Sequence, residues 1–391
     1  MLTGVEPRRM GVAAALATVM IVPSLTQFAL GSLAPLLTSE FHLTPSTFGL
    51  VTGTYYLAAA VLSPLLARWL YRLGTRRSLV VTVLVGWVGS LALAGSQALA
   101  AVLVSVFVAG AATAMANPAT NVVISTLPRP HAALVGVKQS GVQAAALLAG
   151  AMLPAVAVGY GWRTAVLGCS VGFAIGLAVI MLVPAAPRTE EPAHETTGRL
   201  SREVHRLGVF AALMGCGMAA SNVYLVLFAH QRVHLDIRLA GALLAVMGLV
   251  AVVARIVLTQ VVERTRSPER AGIHMLRAMA VLAVGATVLI ATAPWLGLAA
   301  LWAGAAITGL SVASFNGIMM FVVIRTTEKE ATARASGLVQ GAFFAGMLVS
   351  PPVFGLLVDL AGDYAYGWGW AAVCLAVGAV VLPFRPPAPA A

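Results

Sequence analysis

Charge is scarce in this sequence. Asp, Glu, Lys and Arg together make up 9% of its 391 residues, against about 25% in soluble domains, which excludes an ordinary water-soluble fold. Lysine is scarcer still, since Lys138 and Lys329 are the only two and every other basic residue is Arg. No Asp or Glu falls deep within an apolar stretch; Glu40, Asp236, Glu263 and Asp359 all stand at ends. A cationic substrate would therefore find no buried counter-charge, and a carboxylate proton relay has no member. The three cysteines, Cys169, Cys216 and Cys374, lie inside apolar stretches without metal-binding spacing, which speaks against a disulfide framework or a zinc site. Nothing implies a cofactor.

What is present is apolar length. About 20 mostly apolar residues cross a membrane, and twelve such stretches can be placed. They cover about 10–37, 46–66, 78–95 and 98–124, a fifth reaching Tyr160, a sixth ending near Val183, and then about 207–229, 239–262, 271–293, 296–324, 335–360 and 368–383. With 60% hydrophobic residues and a mean hydropathy of +0.94, the pattern predicts an all-α membrane protein. The first stretch runs past Pro23 to Leu37 without the short apolar core and small-residue site of a cleaved signal, so it is expected to stay as a span. One long polar segment, 184–206, rich in Pro, Glu, Thr, Arg and His, interrupts the chain near its middle. The expected organisation is a six-span half over 1–183, a linker over 184–206 and a second six-span half over 207–391.

A net charge of +11 would suit nucleic acid, but the positions of the charges point elsewhere. Nineteen of the 24 Lys and Arg fall in the N-terminus, the even-numbered loops and the C-terminus. Arg163, Arg232 and Arg238 fall in the opposite loops, and Lys138 and Arg255 fall inside spans. By the positive-inside rule both termini face the cytoplasm, in a plasma or prokaryotic inner membrane. The basic balance records topology, with anionic lipid rather than nucleic acid as its partner. Trp69, Trp162, Trp295, Tyr364, Tyr366 and Trp368 stand near span ends, where aromatic belts form.

Six spans, a linker and six more spans invite a search for an internal repeat. Gly136, Val137, Lys138, Gln139 in the fifth span has a counterpart in Gly337, Leu338, Val339, Gln340 in the eleventh, an offset of 201. The run from Gly110 to Asn117 in the fourth span matches Gly309 to Asn316 in the tenth, an offset of 199. Gln27 and Asn222 differ by 195, and Tyr160, Gly161, Trp162 is echoed by Tyr366, Gly367, Trp368. In order and at similar offsets, these matches favour two homologous halves.

Over essentially its full length the chain resembles a major facilitator superfamily transporter. The superfamily's loop between the second and third spans is Gly, three residues, Asp, Arg, any residue, Gly, Arg, then Arg or Lys. It is met here by Ala67, Tyr71, Arg72, Leu73, Gly74, Thr75, Arg76 and Arg77. Tyr71 stands where the family has its acid, which caps a helix across the interface between halves, and Ala67 replaces the leading Gly. A second copy reads Thr259, Val262, Glu263, Arg264 and keeps the acid. The resemblance implies two six-helix halves rocking about a central cavity, a monomer, and a gating role for Tyr71, Arg72, Gly74, Arg76, Arg77, Glu263 and Arg264. It also disfavours cationic drug export. The fifth span lacks the Gly, Pro, two residues, Gly, Gly arrangement of drug–proton antiporters and has Gly136, Gly141, Gly150 and Pro154 instead.

Charges inside spans indicate where a solute would bind. A Lys or Arg at the centre of a span costs roughly 2.5–3.5 kcal/mol on insertion scales, so such residues usually face a cavity and mark a substrate path. Lys138 lies about five residues from the cytoplasmic end of the fifth span and is followed by Gln139 and Ser140. Its alternatives are a cavity-facing ammonium, retained as Lys because that side chain deprotonates readily on burial, or a side chain snorkelling to the cytoplasmic surface. Arg255, eight residues before Glu263, is either a substrate cation or an inner-gate residue bonded to helix ends or carbonyls. In branches of the superfamily resembling oxalate and monocarboxylate carriers, an Arg on the eighth helix contacts a substrate carboxylate. Oxalate carriers pair it with a Lys on the eleventh helix, whereas Lys138 occupies the repeat-equivalent place on the fifth.

Neutral polar residues accompany these cations: Gln27, Asn117, Asn121, Gln139, Gln143, Asn222, Asn316 and Gln340. Each alone could be helix-to-helix glue, and their recurrence on repeat-related spans favours a shared cavity. Asn117 and Asn121 are four apart and share a face, and Pro118 between them frees a backbone carbonyl. The expectation is a transporter of a small organic anion, with Lys138, Arg255, Gln139, Asn117, Asn121, Gln27, Asn222, Asn316 and Gln340 binding it. Coupling to protons and anion exchange are both open. The alternatives are an exporter of neutral or amphipathic metabolites or drugs, and a non-transporting sensor or scaffold. An enzyme is disfavoured, because no nucleophile, base and orienter converge at membrane depth.

Overall fold

The structure, a computed structural model, describes residues 7–127, 132–186, 200–327 and 331–382. Within them the chain is helical and no strand forms. The first seven helices are α1 (Pro7–Ser32), α2 (Ala34–Glu40), α3 (Pro45–Leu73), α4 (Thr75–Ala94), α5 (Leu99–Ser125), α6 (Ala132–Tyr160) and α7 (Trp162–Ile180). The rest are α8 (Arg202–Gln231), α9 (Ile237–Glu263), α10 (Pro268–Ala291), α11 (Ala293–Leu296), α12 (Leu298–Leu310), α13 (Phe315–Thr326), α14 (Thr332–Ala361) and α15 (Tyr364–Val381). Among the described residues, 11 helices are long and apolar enough to cross a membrane, or 12 if the bent pair Pro45–Ser63 and Leu65–Leu73 is one span. Below, "near end" is the end with the arginine-rich α3–α4 and α9–α10 turns, and "far end" is the opposite one.

Helix ends follow local chemistry. The side chains of Thr44, Ser201, Asp236 and Asp363 accept first-turn N–H groups of α3, α8, α9 and α15, the standard N-cap bond. Gly362 closes α14 with a left-handed φ of 70°, a conformation that favours glycine.

The structure corrects several expected boundaries. The predicted first span breaks at Leu33, and α2 starts afresh with Pro35 in its first turn, where a missing N–H costs nothing. The predicted tenth span breaks at Ser311–Ser314 into α12 and α13. There the Ser311 and Ser314 hydroxyls donate back to the carbonyls of Ile307 and Leu310 at 2.6 and 2.5 Å, competing with the helix for its acceptors. The expected linker shortens at its C-terminal side, since α8 begins at Arg202; its central part, 187–199, lies outside the described residues, as do Arg129 and Lys329. Half of the expected aromatic belt is interior instead. Trp162, Tyr364 and Trp368 are buried, while Trp69, Trp295 and Tyr366 are exposed. Trp368 packs edge-on against Phe228 and Phe354, so aromatic contact within the bundle takes precedence over the interface.

Within each set of six spans the packing repeats. Gly110 on α5 lies against the Tyr55 carbonyl of α3, and Gly309 on α12 lies against the Met247 carbonyl of α9. Arg76 at the start of α4 donates to the Met181 and Val183 carbonyls that end α7. Arg277 of α10, at the same offset of 201 that relates the Lys138 and Gln340 stretches, donates to the Ala379 and Leu382 carbonyls that end α15. Between the sets, α3 packs along α14 and α6 along α9. Helices α5 and α13 share no substantial packing among the described residues.

At the far end Glu40 ties α2 to α7. Its carboxylate pairs with Arg163 at 2.5 Å and accepts the Trp162 indole N–H, while Arg163 also donates to the Ser96 carbonyl at 2.8 Å. Burial pushes the Glu40 carboxyl up, but the hydrogen bonds from Trp162 and Arg163 and the Arg163 charge outweigh it, leaving it below its ordinary 4.5. A depressed carboxyl stabilises the fold in full above its unfolded value and loses that contribution as pH falls through the folded value. The stability difference between wild type and Glu40→Gln should therefore be full at neutral pH and be lost as pH falls through the lowered folded value, read as melting temperature across pH. A second measurement addresses packing. A Cβ on Gly110 would fall 2.2 Å from the Tyr55 carbonyl oxygen, whereas one on Gly168 meets nothing within 4 Å. Gly110→Ala should cost on the order of 1–3 kcal/mol and Gly168→Ala should leave the melting temperature unchanged.

Candidate functional site

The antiparallel pair α5 and α6 builds the centre of the site. Asn117, Thr120 and Asn121 share one face of α5 by their spacing of three and four, and Lys138 and Gln139 on α6 meet that face. The Lys138 ammonium donates to Asn121 Oδ1 at 2.6 Å and to Thr120 Oγ1 at 3.0 Å. Thr120 can accept because its own proton is directed to the Ala116 carbonyl at 2.8 Å. One rung along, the Gln139 amide donates to Asn117 Oδ1 at 3.1 Å. Lys138 is 2% exposed, so it turns into the bundle and does not snorkel. An ammonium has three donors, and two of them are accounted for.

Arg255 joins this ladder from α9. Its guanidinium donates through Nη1 to the Gln139 carbonyl at 2.8 Å and through Nη2 to the Ala313 carbonyl at 3.1 Å. Ala313 lies in the break between α12 and α13, where its carbonyl has left the helical ladder. The arginine stem reaches that break past Gly317, where a Cβ would crowd Arg255 Cγ at 3.3 Å. Arg255 is 8% exposed and its Nε is buried without a partner. The two carbonyls belong to opposite sets of spans, so one side chain spans the seam between α6 and α13. Among the described residues no carboxylate pairs with Lys138 or Arg255. Two cations are thus held by neutral oxygens alone, which solvate them without cancelling their charge.

The remaining candidates divide. Gln27 donates to the Tyr56 hydroxyl at 3.1 Å, away from the cationic ladder, and Asn222 is buried near the same tyrosine without an aligned hydrogen bond. Gln143, one turn beyond Gln139, is 1% exposed and neither end of its amide has a partner. Asn316 and Gln340 are half-buried, and no hydrogen bond links them to the ladder. The structure thus brings Asn117, Asn121, Lys138, Gln139 and Arg255 together and leaves Gln27, Asn222, Asn316 and Gln340 outside that cluster. Of the candidate gating residues, Gly74 joins α3 to α4 with φ 77°, Arg76 serves the end of α7, and Tyr71 is half-buried with contacts of its own. Arg72, Arg77, Glu263 and Arg264 are exposed.

Sequence reasoning missed three participants. Thr120 carried a legible signal, standing between Asn117 and Asn121 on their face. Tyr56 had none beyond being a tyrosine in a span. Ser63 donates to the Ala114 carbonyl at 3.5 Å, the acceptor that Pro118 leaves free, and only the α3–α5 contact identifies it.

The family model of the Major Facilitator Superfamily matches residues 16–300. No curated protein matches the sequence. Among solved structures, the chain is similar to a bacterial homologue of the human lysosomal transporter Spinster in an inward-facing, unoccupied conformation. The identity is 15%, the match covers 97% of this chain and 95% of that one, and the TM-score is 0.69. It is similar to the nucleoside transporter NupG at 14% identity, covering 95% and 98% with a TM-score of 0.75. It is similar to the peptide transporter POT at 15% identity, covering 95% and 93% with a TM-score of 0.74. At these identities the likeness shows the fold.

One prediction concerns the seam. Arg255→Lys keeps the charge but replaces a planar fork, which reaches two carbonyls, with a point donor that reaches one. It should destabilise the protein by about 1–3 kcal/mol. Gln139→Ala, which keeps the carbonyl that Arg255 uses, should cost less than Arg255→Lys. Melting curves in detergent check both.

Proposed function

The chain belongs to the major facilitator superfamily, and from that premise we propose that this membrane transporter carries a small organic anion, a carboxylate by preference. The observation that carries the reading is the pair of buried cations, Lys138 and Arg255, served by amide, hydroxyl and carbonyl oxygens with no acidic partner among the described residues. An anion supplies the charge that the site lacks, and the unused donors of both cations can reach it. Asn117, Asn121 and Gln139 orient the cations and the solute, and Gln27, Asn222, Asn316 and Gln340 line the route. The halves 1–183 and 207–391 alternate access to this site, with the polar segment between them as the linker. Gly74 and the Tyr71, Arg72, Arg76, Arg77 cluster, with Glu263 and Arg264, act in gating.

The arginine-rich near end is cytoplasmic in this reading, which puts both chain termini on the cytoplasmic side of a plasma (prokaryotic inner) membrane. The transporter works as a monomer. Coupling runs through proton exchange at Lys138, through entry of the protonated solute, or through anion exchange. A second reading, export of a neutral or amphipathic metabolite, draws support from the bonds that Arg255 already makes to two carbonyls, which suit a structural cation. The similar structures include one described as a nucleoside transporter and one described as a peptide transporter.

A ligand panel separates the two. Carboxylates, neutral metabolites and organic cations are added to the purified wild type and to Lys138→Ala, with melting temperature and then liposome uptake as readouts at two pH values. Carboxylates should raise the wild-type melting temperature by several degrees, and Lys138→Ala should remain folded and lose at least tenfold in apparent affinity, about 1.4 kcal/mol. Stabilisation by neutral solutes alone, or an unchanged response in Lys138→Ala, would overturn the anion reading in favour of the second.

A further inference from the structure

The far end holds a set of contacts between the two sets of spans that the substrate site does not use. The N-terminus of α3 meets the C-terminal third of α14 there. Pro45 has no N–H, Thr47 donates to the Thr44 hydroxyl at 3.3 Å, and Phe48 donates to the Thr44 carbonyl at 2.9 Å. The first-turn donor left over is the Ser46 N–H, and it donates to Asp359 Oδ2 of α14 at 3.1 Å. A carboxylate at a helix N-terminus also gains from the helix dipole. The cap that completes α3 is therefore supplied by the other half of the molecule.

Tyr224 of α8 adds a second contact. Its hydroxyl lies 2.9 Å from the Pro45 carbonyl and 2.7 Å from the Pro351 carbonyl, one acceptor in each half. A phenol has a single proton, so the two carbonyls share it. The ring is fixed by stacking on Phe354 at 4.2 Å between centroids and by edge contact with Phe48. Around these groups the backbones touch. A Cβ on Gly49 would fall 2.3 Å from the Pro351 carbonyl oxygen, and one on Gly355 would fall 2.3 Å from that of Pro45.

We propose that Asp359 and Tyr224 form a reversible latch that holds the far end of this transporter shut, and that its release is a step of the transport cycle. The chemistry suits repeated opening. When the halves part, Tyr224 keeps Pro351 as acceptor, so no buried hydroxyl is orphaned. Asp359 is exposed, so its carboxylate and the Ser46 N–H return to water rather than to lipid. The inference holds whichever solute is carried.

Spin-label distances test it. Tyr160 at the end of α6 and Leu360 at the end of α14 are both exposed at the far end. The pair Tyr160→Cys and Leu360→Cys, made with Cys169, Cys216 and Cys374 replaced, reports the separation of the halves in liposomes. Asp359→Ala should raise the ratio of far-open to far-closed molecules three- to tenfold, the range that a helix cap of this kind contributes. Asp359→Asn, which keeps an acceptor without the charge, should give a smaller rise, and Asp359→Glu should restore most of the closed population. Tyr224→Phe, which removes one oxygen from a packed ring, should shift the ratio in the same direction and serves as the deciding variant if Asp359→Ala does not fold. A ratio within twofold of wild type in a folded Asp359→Ala, or in Tyr224→Phe, would overturn the latch.

Discussion

A backbone carbonyl that loses its helical donor inside a membrane must find another within the protein, because lipid offers none. Much of the polar chemistry in this molecule answers that constraint. Pro118 leaves the Ala114 carbonyl free, and Ser63 donates to it. The break at Ser311–Ser314 leaves the Ala313 carbonyl free, and Arg255 donates to it. The carbonyls that end α7 and α15 receive Arg76 and Arg277. Each bond fixes a helix where regular structure stops, so the irregular points are the points at which one helix is tied to another.

That constraint gives Arg255 two roles. As a donor to Ala313 it is part of the scaffold, and as a donor to the Gln139 carbonyl it links the two sets of spans. Its Nε has no partner, and no carboxylate pairs with its charge among the described residues. Lys138, one residue from Gln139, is in the same condition: bonded to neutral oxygens, buried, and without an acidic partner among the described residues. A fold that needed only rigid helix contacts could meet it with neutral amides, as the Gln139–Asn117 rung does. Two buried cations with no acidic partner among the described residues exceed what packing requires, and this surplus is the physical basis for the anion proposed at the site.

The far end works on a different principle. Its inter-half contacts use exposed or shareable groups: a carboxylate in reach of water, a hydroxyl with two acceptors, and glycine-lined backbone surfaces that lose only van der Waals contact on separation. Contacts of this kind hold a closed state by small increments, and small increments can be reversed during a cycle. The Arg255 bridge, by contrast, is buried, and its two carbonyl acceptors are main-chain groups.

Much of the architecture was legible in the sequence because it follows from composition and order. Apolar length set the spans, scarcity of charge set the class, and the offsets near 200 pointed to repeated packing that reappears in the Gly110 and Gly309 contacts. Lys138, Gln139, Asn117 and Asn121 could be singled out because polar groups are rare and costly in spans. Their partners could not, since an i, i+4 spacing gives a face but not the helix it meets. The break at Ser311–Ser314 contains neither Pro nor Gly, and its apolar neighbours read as one continuous span, so the acceptor for Arg255 was hidden. Asp359 could be read only as an acid at the end of a span, since nothing local names the helix it caps. By itself the sequence determined an all-helical membrane fold and the presence of two cations, Lys138 and Arg255, within its apolar spans, because those depend on residue type and local spacing. Only the tertiary structure decided that Lys138 turns inward, that Arg255 bridges two carbonyls and that Asp359 caps α3, because each depends on contacts between residues 17 to 313 positions apart.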